Sequence, residues 1–340
     1  ASGRWSATLP AMAAGGPHTL EVRAQSGAAQ TVSDILVGDV FLCSGQSNMA
    51  LSVAASRGGA FAAARLANDR IRLLTVANTA SPEPATSLPE KSVWQVAEPQ
   101  TVRGFSAACY YFGHELQATV KVPIGRVNAS WGGSAAEAWA SDAGLRKAGG
   151  FDERLDLLRL YVRDVEAANL RFGRMWEAWW RAHASPATEP WQSDPAKTGD
   201  WREVPEPMRN WKTWGVPELA RHDGMVWYRR VVNLTAEQAG RGATLSLGGI
   251  DEVDETWVNG RVIRNTFGWG TERVYPLPAG VLRAGSNTIV VNVLSTWDAG
   301  GMVGPADKLA LALDNGEKVP LAGGWRYQIV PLAMGRPARV

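Results

Sequence analysis

The 340-residue chain is poor in the residues that metal and disulfide chemistry require, with two cysteines, Cys43 and Cys109, and four histidines. Two cysteines cannot build a disulfide framework, and neither C-x-x-C nor H-E-x-x-H spacing occurs, so no metal site and no organic cofactor are expected. Neither sign of charge dominates. Lys+Arg number 35 against Asp+Glu 33, a formal net charge of +2, which fits neither a strongly basic nucleic-acid binder nor an acidic disordered tail. No apolar run approaches the roughly 18 residues of a membrane span, and Ala1-Ser2-Gly3-Arg4-Trp5 lacks the apolar core of a signal peptide. A soluble chain is expected, without nucleic-acid or membrane partners, whose export signal was removed or never existed.

Tryptophan stands out, at sixteen residues, eight of them between Trp176 and Trp227. Indole is a flat apolar plate with one N–H donor, suited to large cores, to interfaces and to the apolar faces of sugars. Core packing is the default for most of them.

Along the chain, residues 1–33 alternate polar and apolar, with Thr19 to Ala24 as the clearest strand; two strands cannot stand alone, so they read as the tail of a β domain. From residue 34 the pattern becomes α/β. Ile35 to Cys43 predicts one buried strand running into Ser44-Gly45-Gln46-Ser47-Asn48, and Ile71, Leu73, Thr75 and Ala77 predict a second. Phe105, Cys109, Phe112, Leu116 and Val120 predict a helix over about 106–119 with Ser106 as N-cap. Val122 to Asn128 predicts a strand ending at Ala129 to Ser134. Both small-residue turns thus fall at carboxyl ends of strands, where parallel sheets hold ligands. Three strands are too few, because both faces and both edges of such a sheet need cover.

Residues 151–183 predict one long amphipathic helix or two in succession. Six prolines and four tryptophans between Ser185 and Gly224 leave little room for helix. This Trp191 to Trp214 stretch is expected to pack on the α/β domain or along the rim of the Ser47 cleft. Val226–Leu234, 244–247, 255–258 with Asn259-Gly260 as a hairpin turn, 288–294 and 309–313 then read as strands of an antiparallel sandwich or jelly roll. Cys43 and Cys109, on a strand and an apolar helix stripe, read as core thiols.

A serine after a buried strand, as in Gly45-Gln46-Ser47-Asn48-Met49, projects its hydroxyl at the sheet's mouth with backbone N–H groups around it, the geometry of a nucleophile beside an oxyanion hole. It is not the G-x-S-x-G elbow, since position 49 is Met. From spacing alone, an ordinary strand-to-helix turn that uses Gly and Ser for turn reasons is the first reading.

Two longer blocks carry a resemblance. Gly38-Asp39-Val40-Phe41-Leu42-Cys43-Ser44-Gly45-Gln46-Ser47-Asn48-Met49 resembles the first block of the sialate O-acetylesterase family, a branch of the SGNH hydrolases. Val122 to Ser134 followed by Glu137-Ala138-Trp139 is similar to its second block. The stretches 223–230 and 249–260 resemble a galactose-binding-like jelly roll, a module inserted in the catalytic domain of such esterases.

The resemblance implies a three-layer α/β/α SGNH-type sheet, incomplete in this chain, plus an inserted all-β jelly roll. The domains would be a β tail at 1–33, the first part of the catalytic domain at 34–184, a Pro/Trp-rich linker and jelly roll at 185–330, and a return toward the catalytic domain at 331–340. It implies Ser47 as nucleophile and the backbone of Ser47, Gly132 and Gly133 as oxyanion hole, with Gln46, Asn48, Trp131 and Glu137 as substrate-binding candidates. The substrate would be an acetylated carbohydrate, a sialic acid or a plant polysaccharide such as xyloglucan or xylan. The alternative is a carbohydrate-binding module on an inactive hydrolase remnant. The family's Asp-x-x-His and its oxyanion asparagine are missing: the residues three before His18, His114, His183 and His222 are Gly15, Tyr111, Trp180 and Leu219. His114 and His183 read as helix-surface residues and Asp39 as a turn carboxylate. The chain is therefore expected to be cut before Ala1 and after Val340, to need a second polypeptide segment supplying the base, and to work in the periplasm or outside the cell.

Overall fold

The computed structural model describes residues 5–184, 187–297 and 299–335. Residues 1–4 of the expected β tail and 336–340 of the expected return lie outside the described residues. The backbone divides into two compact units at Lys147/Ala148.

The first unit opens with an antiparallel hairpin of β1 (Gly15–Arg23) and β2 (Ala29–Val37). There follow β3 (Asp39–Gly45), the short helices α1 (Ser47–Ala50) and α2 (Gly59–Ala62), β4 (Asn68–Thr75) and β5 (Gln95–Ala97). Helices α3 (Pro99–Gly104) and α4 (Ala107–Val120), β6 (Ile124–Ser130) and α5 (Asp142–Ala148) complete it. Four strands form one sheet in the order β3-β6-β4-β5, parallel except for β5.

The apolar run 35–43 is not the single buried strand its composition suggests. It divides at Gly38, where an added Cβ would lie 2.0 Å from the Pro123 carbonyl oxygen, so β2 ends and β3 begins on either side of that approach. Nor is β3 buried on both faces. Its one neighbour among the described residues is β6, and Val40 and Leu42 are 63% and 69% exposed. The opposite face turns to α4, which Ser106 caps by accepting from Cys109 N–H. There Cys43 and Cys109, expected as free core thiols, form a disulfide with Cα atoms 5.9 Å apart. That spacing suits a bridge, and the strand-to-helix packing supplies it.

The buried line of α4 is also rotated from the expected stripe: Ala107, Cys109, Tyr110, Gly113 and Gln117 are buried, while Phe112 and Val120 are exposed. The cause lies beneath the helix. Arg126, on the central strand β6, is fully buried, with its guanidinium carbon 4.9 Å from the Phe41 ring centroid and 4.8 Å from that of Phe112. A Cβ at Gly113 would stand 1.7 Å from Arg126 Nε. No ion pair neutralises Arg126 among the described residues, and burial pushes its pKa down to about 10, so it stays cationic at neutral pH and leans on the ring faces.

The second unit begins with α6 (Asp152–Arg163) and α7 (Val165–His183), two helices in succession, then β7 (Arg202–Glu203), β8 (Met225–Leu234) and α8 (Ala236–Ala239). The remaining strands are β9 (Ala243–Asp251), β10 (Val253–Val258), β11 (Arg261–Phe267), β12 (Glu272–Pro276) and β13 (Gly285–Leu294), with β14 (Gly301–Met302), β15 (Leu309–Leu313), β16 (Lys318–Pro320) and β17 (Arg326–Ile329). They form two antiparallel sheets, β11-β10-β13-β8-β17-β7 and β12-β9-β15-β16, with β14 beside β9. The expected Asn259-Gly260 turn joins β10 to β11, both residues at positive φ, as a two-residue hairpin demands.

Helices 151–183 read in the sequence with the α/β part, but here they fall in the second unit. Glycine at 173 admits the close approach of α7 to β11, because a Cβ there would stand 2.4 Å from Val262 Cγ1. Trp176 and Trp180 of α7 pack with Trp191, Trp227 and Trp257 over the six-stranded sheet. In the Pro/Trp-rich stretch, Trp211 enters this unit's own core and donates its indole N–H to His222 O at 3.1 Å, while Trp214 meets Tyr228 and Tyr327 edge-on.

Two predictions follow from the second unit's interior. Trp211→Ala should lower its stability by about 3–5 kcal/mol, as for other core aromatic truncations, measured by denaturant unfolding; a loss under about 1 kcal/mol would contradict the packing role. Glu255 on β10 is fully buried, and no cation pairs with its carboxylate among the described residues. Burial first, then the charges of Asp254 and Glu177, pushes its pKa well above the usual range. The folded chain thus holds a proton that the unfolded chain releases above about pH 4.3. This stabilisation is complete below that pH and lost as pH rises toward the folded pKa, by at most about 1.4 kcal/mol per pH unit. Glu255→Gln should therefore match the parent near pH 4 and exceed it increasingly up to pH 8, and parallel melting curves across that range would rule the assignment out.

Candidate active site

Ser47 stands where β3 turns into α1. Gly45 closes the strand at φ +152°, where an added Cβ would lie 3.2 Å from Met49 Cβ. Gln46 is the extended N-cap, its carbonyl accepting from the N–H groups of Met49 and Ala50 at 3.0 and 2.9 Å. This corner leaves the Ser47 side chain exposed at the carboxyl end of a parallel sheet.

The second small-residue turn lies against it. β3 and β6 run parallel with Gly45 opposite Ser130, and one residue later Trp131 N–H donates to Gly45 O at 3.0 Å. A Cβ on Gly132 would sit 3.6 Å from both Cα and Cβ of Ser47, so the Gly132 backbone lies over the serine. Gly133 adopts φ +79°. Among the described residues the N–H groups of Ser47, Gly132 and Gly133 reach no backbone acceptor.

The loop has its own clasp. Gln46 Nε2 donates to Ser134 O at 2.5 Å, Ser134 Oγ donates to Trp131 O at 2.7 Å, and Trp139 Nε1 donates to Ser134 Oγ at 2.9 Å. Gln46 and Trp131, read from sequence as substrate contacts, thus also hold the turn. Trp131 remains 38% exposed. Asn48 on α1 and Glu137 in the 3-10 turn Ala136–Trp139 are exposed and hold no side-chain partner among the described residues. The sequence reading gave Ser134 and Trp139 no role, although both lie inside the second block; their spacing of five residues carries no recognisable hydrogen-bond pattern.

Among the described residues no histidine hydrogen-bonds to the Ser47 hydroxyl. His114 Nδ1 lies 3.6 Å from Glu115 on α4, and His183 stacks on Trp179 and contacts its carbonyl oxygen at 2.7 Å. His222 is buried against Trp211, its pKa lowered by that burial, and His18 Nε2 is buried without a partner. Asp39 begins β3, at the far end of that strand from Ser47. No three His, Cys, Asp or Glu side chains of the described residues cluster in a way that could hold a metal ion.

Residues 37–169 match the family model described as carbohydrate esterase, sialic acid-specific acetylesterase. Curated relatives include the sialate O-acetylesterases of Pongo abelii and Homo sapiens, each 34% identical over 164 residues, covering 44% of this chain and 30% of the relative. The chain thus spans about a third of the length of the curated relatives it matches. Solved structures similar to it include a carbohydrate acetylesterase from Xanthomonas citri, with 20% identity, TM-score 0.40, and coverage of 94% of this chain and 88% of that one. A β-glucuronidase of Faecalibacterium prausnitzii shows 26% identity and TM-score 0.27 over 33% of this chain and 18% of that one.

The clasp is testable without turnover. Ser134→Ala removes two hydrogen bonds and should cost about 1–2 kcal/mol, with faster amide hydrogen exchange confined to residues 131–139. Unaltered exchange there would show that Ser134 does not hold the turn.

Proposed function

We propose that this chain, whose residues 37–169 belong to the carbohydrate esterase family of sialic acid-specific acetylesterases, carries the nucleophile half of a carbohydrate O-acetylesterase. The observation that supports it is the backbone of Gly132 lying against the exposed Ser47, since it brings together two blocks far apart in sequence.

In this reading Ser47 Oγ attacks the acetyl carbonyl and its proton passes to a general base. The N–H groups of Ser47 and of Gly132 or Gly133 hold the tetrahedral oxyanion, each donor being worth about 3 kcal/mol. The sugar oxygen leaves with the proton, and water then frees the acetyl group from the serine by the reverse sequence. Asn48, Trp131 and Glu137 would contact the sugar. The base and its carboxylate belong to a further polypeptide segment, because none of the histidines described above meets Ser47. We read the parallel sheet, with Val40 and Leu42 exposed, as the incomplete part of a three-layer SGNH domain, and the two antiparallel sheets as an inserted jelly roll. The substrate is an acetylated sugar, a sialic acid or a plant polysaccharide such as xyloglucan or xylan. The Cys43–Cys109 bridge supports an oxidising compartment, the periplasm or the exterior of the cell, and no helix of the described residues is long and apolar enough to cross a membrane.

Ser47→Ala in the protein containing its histidine segment should abolish acetate release from p-nitrophenyl acetate while moving the thermal midpoint little, since a small exposed hydroxyl contributes little packing. Turnover retained by the folded variant would remove Ser47 from the nucleophile role. A fluorophosphonate should label Ser47 when that segment is present, whereas efficient labelling of the 340-residue chain alone would remove the need for a second segment.

A further inference from the structure

We infer that the cleft of the second unit lined by Trp201, Arg229, Arg230 and Arg326 is a binding site for a carboxylate-bearing saccharide. The cleft encloses about 660 Å³, within the range of roughly 300–1,000 Å³ usual for small-molecule sites. Three guanidinium groups line it together with a single carboxylate, that of Asp200.

Its charges are placed as an anion would require. Arg229 on β8 and Arg326 on β17 stand directly opposite each other in the strand register, an arrangement of like charges that destabilises a sheet, while Glu203 of β7 stands opposite Arg326 on its other side. Arg229 is 8% exposed, and its guanidinium donates only to neutral acceptors, the carbonyl oxygens of Gln192, Ser193 and Pro190 at 2.8, 3.2 and 3.4 Å. Burial first and the neighbouring Arg326 charge second lower its pKa. Arg326 is exposed, and its guanidinium takes part in no hydrogen bond or ion pair among the described residues. Arg230 donates to Val231 O at 2.6 Å and leaves Nε buried and unpartnered. A carboxylate entering here would find planar forks of matching geometry and relieve the repulsion that the fold leaves in place.

The rest of the lining suits a sugar ring. Trp201 lies within 5.7 Å of the Arg229 guanidinium, and its indole N–H is buried without an acceptor. Indole offers an apolar plate for the C–H face of a pyranose, and Asp200 offers an acceptor for its hydroxyls. Gly324, at φ +65°, brings the backbone beside the cations, since a Cβ there would press to 3.1 Å from Arg230 Nη1. The choice of a saccharide over another carboxylate rests on the reading of Ser47 as acting on sugars, but binding here needs neither Ser47 nor its base.

Titration of the full chain by calorimetry with N-acetylneuraminic acid and methyl glucuronide, against methyl glucoside and inorganic phosphate, tests it. The expected result is saturable binding of at least one acidic sugar, at least ten-fold tighter than methyl glucoside and not displaced by equimolar phosphate. Arg326→Gln, on an exposed side chain, should weaken binding at least ten-fold with an unchanged melting midpoint, and Trp201→Phe should weaken it while keeping a ring in place. Ser47→Ala should bind as the parent does, so a failed esterase assay and a failed binding assay are separate outcomes. Equal affinity for glucoside and glucuronide, displacement by phosphate, or full binding by Arg326→Gln would each overturn the proposal.

Discussion

The disulfide between Cys43 and Cys109 fixes the part of the first unit on which everything near Ser47 depends. β3 has one hydrogen-bonded neighbour among the described residues and two large apolar side chains in solvent, so its ladder with β6 alone would hold it loosely. The bridge ties the strand, four residues before Ser47, to the first turn of α4. Closing a loop of 66 residues restricts the unfolded chain by an amount worth about 4 kcal/mol in the chain-entropy account. The Phe41–Phe112 contact and the Arg126 guanidinium lie along the same seam.

Much of this was legible in the sequence where the signal is local. The turn at Gly45 to Met49, the Ser106 cap, the Asn259-Gly260 hairpin and the strands of the second half each rest on a few adjacent residues whose conformational preferences agree. What failed were statements about partners distant in sequence. Pairing of Cys43 with Cys109 requires knowing that α4 lies across β3, which no spacing of two cysteines reveals. The apolar run 35–43 hid its break because Gly38 is dictated by Pro123, 85 residues away. The stripe on α4 was misplaced because a buried arginine, not an apolar residue, fills the space beneath Gly113. Of the candidate site, Ser47 and the Gly132-Gly133 turn were readable, while the Ser134 clasp was not, since its geometry exists only once Gln46 and Trp139 meet it.

Three buried arginines show three ways of carrying a charge inside this protein. Arg273 has a carboxylate, Asp254, at 2.9 Å with both side chains inaccessible; Asp254 also takes hydrogen bonds from Tyr275 and Thr256. Arg126 has aromatic faces in place of an anion. Arg229 has backbone carbonyl dipoles, the Trp201 ring at 5.7 Å and a like charge for neighbours. A buried ion pair roughly compensates its own desolvation, whereas an unpaired buried charge is costly, so Arg273 needs no outside partner and Arg229 does.

The aromatic packing of the second unit also makes it an optical object. Trp180 and Trp227 have ring centroids 4.9 Å apart, Trp227 and Trp257 5.2 Å, and Trp191 and Trp257 5.8 Å. Indoles this close couple their transition dipoles and exchange excitation among themselves before emitting. The array therefore behaves as one chromophore, with split near-ultraviolet dichroism bands and depolarised emission in which Trp180 shares only while α7 covers the six-stranded sheet.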